Sequence, residues 1–291
     1  MQSETLIDEI VARSTGVSYP AITASDLVRL TILVPKVEQQ NAIVQFLDRE
    51  TSKADALIAK YERLLELLEE KRVALITQAV TKGLDPNVPM KDSGVEWIGE
   101  IPAHWKIMPL KYLVLLKSGE HITTEKINEV GEYPVFGGNG LRGFTDSYTH
   151  KGDFALIGRQ GALCGNINYA RGKFWASEHA VVVTPRTASA VLWLGELLRS
   201  MNLGRYSVTA AQPGLSVEAV GKLRIPVPDR EEQETIADAL RKDISNIDAL
   251  SSETQQAINL VRERRSALIT AAVTGQIDVA AYRSGIATEV A

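Results

Sequence analysis

ALITQAVTKGLD (Ala74–Asp85) and ALITAAVTGQID (Ala267–Asp278) are two copies of one phrase. Followed upstream without a gap, the likeness covers residues 22–85 and 215–278, an offset of 193, with 23 identities in 64 positions. LTILVPKVEQQ (Leu30–Gln40) matches LRIPVPDREEQ (Leu223–Gln233), and Ser14–Ile22 lines up loosely with Ser207–Leu215. A match this long marks a duplicated structural unit rather than a shared composition.

Each copy reads as a short strand, a proline stop and a long helix. Leu30, Ile32 and Val34 alternate onto one face, as do Leu223, Ile225 and Val227. Pro35 and Pro228 end the strands. Glu38, Gln39 and Gln40, and Glu231, Glu232 and Gln233, suit a first helical turn. The helices then step by four and three residues, the period of a coiled-coil seam. The first seam contains Ile43, Leu47, Leu57, Leu64, Leu68 and Leu75; the second contains Ile236, Leu240, Ile247, Leu250, Val261 and Leu268. Both are interrupted by charge at the same places, Glu50 and Lys71 against Asp243 and Arg264, which either set register or lie at a solvated edge. A helix from about 38 to 80 is ~65 Å long, too long to bury against one small domain, so the two seams are expected to cover each other.

Between the copies the composition changes. Over the whole chain of 291 residues the formal charge is −4, but residues 104–213 carry 12 Lys and Arg against 8 Asp and Glu, leaving −8 on the rest. The same stretch holds all four histidines, 12 of the 17 aromatics and 13 of the 21 glycines. A basic, aromatic and glycine-rich module beside acidic helices fits a nucleic-acid reader on a scaffold, and equally an α+β domain with no polyanion partner. One cysteine, Cys164, excludes an internal disulfide framework and a cysteine-based zinc site. No apolar run approaches ~20 residues and the start MQSETLIDEI lacks a signal-peptide pattern, so a cytoplasmic location and no membrane partner are expected.

Longer phrases add a family resemblance. SGVEWIGEIPAHWKIMPLKYL (Ser93–Leu113), PVFGGNGLRGFTD (Pro134–Asp146), LIGRQGALCGNI (Leu156–Ile167), FWASEHAVVV (Phe174–Val183) and QPGLSVEAVGKLRIPVPDREEQ (Gln212–Gln233) resemble, in this order, the specificity (S) subunit of type I restriction-modification enzymes. The resemblance implies an α+β chain: one globular α/β target recognition domain plus two long helices pairing as an antiparallel coiled coil. It divides the chain into a remnant of a first recognition domain and strand (1–35), a first conserved helical region (36–85), a recognition domain (93–227), a second helical region (228–280) and a tail (281–291). In the family two recognition domains each read half of a split DNA site, the helices space them, and methyltransferase (M) and motor-nuclease (R) subunits supply the chemistry. Residues 1–21 match only the last residues of a recognition domain, a pattern compatible with a half subunit, a split-gene product or a fragment. The resemblance thus implies a non-catalytic reader of double-stranded DNA that positions M subunits and, through the complex, R subunits. A second copy of the chain is a further candidate partner. The alternative is a truncated scaffold that binds M or S subunits through its helices without reading DNA.

Reading DNA requires cations for phosphates and donors and acceptors for base edges. Arginine suits guanine, and asparagine or glutamine suits adenine. GGNGLRG (Gly137–Gly143) offers Asn139 and Arg142, and GRQGALCGN (Gly158–Asn166) offers Arg159, Gln160 and Asn166. Lys173 and Gln212 complete the candidate DNA-binding set, with Arg171, Ser177 and His179 near Lys173. Each residue also has a plainer reading. The glycines of the first run supply turns with positive φ. Asn139 and Asn166 hold their own turns. Arg159 pairs with Asp153 or Glu178. Arg171 and Lys173 are solvated, and Trp175 and His179 are core residues.

Catalytic signatures are missing from the sequence. There is no Asn/Asp-Pro-Pro-aromatic run for adenine methylation and no phosphate-binding G-x-x-x-x-G-K-[ST] loop. Glu69-Glu70-Lys71 mimics a nuclease triplet, but on a heptad helix. Cys164, in the apolar run Ala-Leu-Cys, reads as inert core. No catalytic residue, metal site or cofactor is expected.

Overall fold

The computed structural model describes residues 4–16, 20–32, 34–161, 163–207 and 214–279. In chain order the elements are α1 (Glu4–Arg13), α2 (Ala24–Leu27), α3 (Val37–Lys82), β1 (Met90–Asp92), β2 (Glu100–Pro102), β3 (Lys106–Pro109), α4 (Leu110–Leu113), β4 (Val114–Ser118), β5 (Tyr133–Gly137), β6 (Gly140–Thr145), β7 (His150–Lys151), β8 (Phe154–Gly158), β9 (Ile167–Ala170), β10 (Lys173–Ala176), β11 (Ala180–Pro185), α5 (Val191–Ser200), α6 (Val217–Lys222), β12 (Arg224–Val227) and α7 (Arg230–Val273). The chain divides into two compact units, one of residues 1–68 with 248–291, the other of residues 69–247. None of the described helices is long and apolar enough to cross a membrane.

The first unit is built on antiparallel helix pairing. Arg262 reaches Glu62 at 2.9 Å and Arg265 reaches Asp55 at 2.9 Å, so positions rise along α3 as they fall along α7. These exposed ion pairs add little stability but mark the register. The interior holds Phe46, Leu68, Ile258, Ile269 and Ala272. The buried Thr254 hydroxyl donates to the Leu250 carbonyl, which removes the cost of an unpaired polar group in the seam. Two expected seam positions are corrected. Leu57 and Leu250, equivalent in the repeat, are 39% and 43% exposed, while Ile58 and Ser251 turn partly inward. The cause is the 3.6-residue period of a straight helix, which drifts ~20° per heptad from a 3.5-residue seam and moves the buried stripe along by one position. Lys71 and Arg264 are exposed, the solvated-edge alternative for these charges.

The repeat also has matching helix starts. Gln40 Nε2 donates to the Pro35 carbonyl at 2.8 Å and Gln233 Nε2 to the Pro228 carbonyl at 3.1 Å, so the same glutamine ties each helix to its proline stop. The strands before them differ. Arg224–Val227 is a strand because β3 pairs with it, from Arg224 opposite Pro109 to Val227 opposite Lys106. Of the described residues between Leu30 and Pro35, none is in a strand, and Ile32 and Val34 are exposed. The alternating pattern is present in both copies, but a strand forms only where a neighbour accepts its backbone bonds.

The second unit carries two four-stranded sheets, ordered β6-β5-β10-β7 and β4-β11-β8-β9. β11 is antiparallel to both β4 and β8, and its Ala180–Val183 are all buried. An apolar run of this kind belongs in the middle of a covered sheet. α5 packs on β8 and β9 and buries Trp193, Leu194, Leu197 and Leu198 in the main core. Helix segments of this unit join the same core through Ile76, Ala79 and Val80 of α3 and Ile236, Ala237 and Leu240 of α7. Trp105, 1% exposed, donates its indole N–H to Glu232 Oε2 at 2.9 Å, and that carboxylate also meets His104 Nε2 at 2.9 Å.

Candidate nucleic-acid interface

Five strand ends converge in the second unit. β4 ends at Ser118, β5 at Gly137, β8 at Gly158 and β10 at Ala176, and β11 begins at Ala180. The turns that follow are joined through backbone. Gly119 N–H donates to Ala180 O (2.9 Å), Glu120 N–H to Ala176 O (2.9 Å), Ser177 N–H to Phe136 O (2.9 Å) and Arg159 N–H to His179 O (2.9 Å). Glycine is required for such close approach. A Cβ on Gly119 would lie 2.1 Å from Ala176 O, and one on Gly158 would lie 2.2 Å from Gly138 O. With the main chains bonded to one another, these turns bury Ser177 and Cys164 and leave Asn139 and Gln160 exposed and Arg159 and Asn166 half-buried.

Five of the expected side chains meet here. Asn139 is exposed at the β5–β6 hairpin tip, and Arg142, exposed on β6, lays its stem against Gly137. Asn166 Nδ2 approaches Asn139 Oδ1 at 3.5 Å. Arg159 pairs with neither Asp153 nor Glu178; its Nη1 donates to Ser118 Oγ at 3.3 Å. Gln160 is exposed, with Oε1 3.1 Å from His179 Nδ1. Lys173 is not part of this group. It opens β10, at the end of the strand away from Ala176, with its ammonium 5.4 Å from the Tyr133 ring centre and 4.9 Å from that of Tyr148. Gln212 lies outside the described residues.

The plain-core readings of two residues are corrected. Trp175 is half-buried and donates its indole N–H to Glu120 O at 3.2 Å. His179 is not core: its side chain is 42% exposed, and Nε2 lies 3.3 Å from Glu178 Oε1. The same carboxylate oxygen meets His121 Nδ1 at 3.2 Å. Sequence reading missed this His121–Glu178–His179 row. A signal was present in Glu120-His121 and Glu178-His179, two Glu-His pairs each just past the end of a strand. Cys164 is buried, with its thiol donating to Arg159 O, and burial pushes its pKa up, away from thiolate chemistry.

The turns thus present guanidinium, amide and imidazole groups together. Burial raises the Glu178 pKa, but its own backbone N–H, the His121 hydrogen bond and the two imidazoles outweigh that and hold it below the ordinary carboxylate range. Among the described residues no group of three or more His, Cys, Asp or Glu could hold a metal ion. The arrangement can donate to and accept from base edges and neutralise phosphate.

The sequence matches the family described as the type I restriction modification DNA specificity domain over residues 102–260. It is 43% identical over 134 residues to the type I restriction enzyme EcoprrI specificity subunit of Escherichia coli, 45% of this chain and 33% of that protein. The match therefore spans about a third of that relative's length. It is 23% identical over 298 residues to the MjaVIII specificity subunit of Methanocaldococcus jannaschii, 92% of this chain and 67% of that one. Among solved structures, a chain from work on assembly and conformational transition of the type I R-M system superposes with a TM-score of 0.66 at 20% identity, covering 93% of this chain and 68% of its own length. The S subunit of such a system from M. genitalium gives 0.52 at 19% identity, covering 91% and 69%. At these identities the structural likeness concerns the fold.

Proposed function

Because the chain belongs to the type I restriction modification DNA specificity family, matching it over more than half of its residues, we propose that it reads a DNA sequence and positions partner subunits that do the chemistry. The observation that carries this reading is the convergence of Asn139, Arg142, Arg159, Gln160 and Asn166 on turns whose main chains are already bonded to one another. Preorganised turns lose little entropy on binding, and their side chains match base edges by type. Arg159 and Arg142 are the candidates for guanine, and Gln160, Asn139 and Asn166 for adenine. Lys173, at the far end of its strand, is a candidate phosphate contact. The local charge of +4 on residues 104–213 favours the polyanion, whereas the −8 elsewhere leaves the helices for protein partners. In this division of labour residues 93–227 read DNA. The helical regions carry M subunits and, through the assembled complex, an R subunit.

The test is to express the chain with a type I M subunit and sequence the methylated DNA. A single new methyl-adenine motif is expected, and Arg159→Ala should weaken binding to it or relax it at one position by ~1–3 kcal/mol. Stable binding of an M subunit with no DNA binding at low salt and no motif would reject DNA reading and leave the scaffold role.

A further inference from the structure

The duplication places one filled socket and one open socket in the same chain. In the second unit, the segment carrying Trp105 and β3 covers the start of α7 and the end of α3. β3 pairs with β12, whose Ile225 and Val227 are buried. The Trp105 ring lies 3.4 Å from where a Cβ on Gly83, just past α3, would stand. Shifted by 193 positions, the same elements of the first unit are uncovered. Ile32 and Val34, the counterparts of Ile225 and Val227, are exposed. Gly275 follows α7 with φ +74°, as Gly83 follows α3 with φ +75°, but a Cβ there would meet nothing within 4 Å. Between these residues lies a groove of about 750 Å³, walled by Val34, Ala42, Ile43, Ala272, Val273 and Ile277. Ile43 is half-buried, whereas its counterpart Ile236 is fully buried.

We propose that this groove is a docking socket for an extended, tryptophan-bearing basic segment of another polypeptide, which pairs its backbone alongside Ile32 and Val34 and seats its indole against Gly275. The socket lies in the first unit and the DNA-reading turns in the second, and its occupancy does not require DNA. Three features define the occupant. The apolar stretch at Ile32 and Val34 is in no strand, and an added strand would satisfy its backbone and cover its side chains, as β3 does for β12. The open space beside Gly275 suits a flat ring. Gln39, in the place of Glu232, offers that ring an acceptor: its Oε1 takes the Lys36 N–H at 3.1 Å and has a second lone pair for an indole N–H. The ionisable side chains lining the groove, Glu38 and Asp278, are both acidic, which favours a cation beside the indole, as Lys106 stands beside Trp105. A second copy of this chain is excluded as the occupant on energetic grounds. Its Trp105 is buried and its β3 already paired, so lending them would open an equal socket in the lender with no net gain in buried surface.

The test is fluorescence anisotropy of a labelled synthetic peptide, IGEIPAHWKIMPLK, the sequence of residues 98–111, titrated with the full chain. This peptide carries the strand, the indole and the cation that fill the twin socket. Saturable binding with a Kd below about 100 µM is expected. Replacing the tryptophan of the peptide by alanine should weaken binding at least about tenfold. Ala42→Glu in the chain, which sets a charge in the groove at a half-buried helix position, should weaken it as much, with unchanged circular dichroism. The peptide variant needs no change to the protein and so keeps the test decisive if Ala42→Glu folds poorly. Absence of saturation, or binding indifferent to loss of the tryptophan, would overturn the proposal. So would binding that survives Ala42→Glu but is lost in Glu232→Ala, since the peptide would then be invading the filled socket. Sedimentation showing a wild-type dimer that Ala42→Glu dissociates would hand the groove to a second copy and overturn the choice of occupant.

Discussion

Gly195→Ala on α5 sets two effects of opposite sign against each other. In an isolated helix the change is favourable by about 1 kcal/mol, because alanine loses less backbone entropy than glycine. In this structure the added methyl would lie 2.2 Å from the Tyr169 hydroxyl oxygen and 2.5 Å from Cε1 of the same ring. That is more than about 1 Å inside ordinary contact. The Tyr169 hydroxyl donates to Glu196 Oε1 at 2.9 Å, and Glu196 is only 3% exposed. Moving the ring away breaks a hydrogen bond to a buried carboxylate, which costs about 1.5–3 kcal/mol. Forcing the methyl into packed core costs about 1–3 kcal/mol more. The net expectation is destabilisation by about 2–4 kcal/mol. Urea unfolding followed by circular dichroism and tryptophan fluorescence measures it, as a lower midpoint with little change in slope. The double variant Gly195→Ala/Tyr169→Leu should recover part of the loss relative to Tyr169→Leu alone, since the colliding ring is gone. A Gly195→Ala midpoint equal to or above wild type would refute the reasoning and show that helix propensity outweighs the contact.

Three further outcomes are expected. Burial, and then the charge and hydrogen bond of Glu196, push the Tyr169 pKa well above its ordinary 10, with Arg199 opposing. The folded state thus holds the protonated phenol, and the stability it confers is complete below about pH 10 and drains away as the pH rises beyond it. Wild type should lose urea resistance between about pH 9 and 11 more steeply than Tyr169→Phe, and equal slopes would count against it. Leu68→Asp should destabilise by about 3 kcal/mol or more, whereas Leu57→Asp should stay within about 0.5 kcal/mol, since only Leu68 is buried. Equal losses would restore the strict heptad seam. Glu232→Ala should cost about 1–3 kcal/mol by leaving the buried Trp105 indole without an acceptor, and Glu232→Gln, which can still accept, should recover most of it; calorimetric melting compares the two.

The contribution of sequence differs from element to element. The duplication of residues 22–85 in 215–278 announced two long helices, and α3 and α7 start at the residues that follow Pro35 and at Arg230, close to where the acidic and amide first turns pointed. The loop candidates Asn139, Arg142, Arg159, Gln160 and Asn166 were legible because glycine-rich runs between apolar segments mark turns. That these turns meet was not legible. It follows from the strand orders β4-β11-β8 and β6-β5-β10, which set Ser118 opposite Val181 and Val135 opposite Trp175, residues far apart in the sequence. His179 was misread for the same reason: its flanks, Ala180 and Val181, are core, but the ring itself points to Gln160 and Glu178 across the turn.

Local, periodic information in the chain determined the duplicated helices, the central α/β module and the family, because helix period, proline stops and contiguous motifs are properties of neighbours in sequence. Tertiary structure alone decided which copy of the strand exists, which face of each helix is buried, and which side chains share a site. Leu223–Val227 and Leu30–Val34 carry the same alternation, yet only the former has β3 beside it. A backbone hydrogen bond needs a partner that no local pattern can supply.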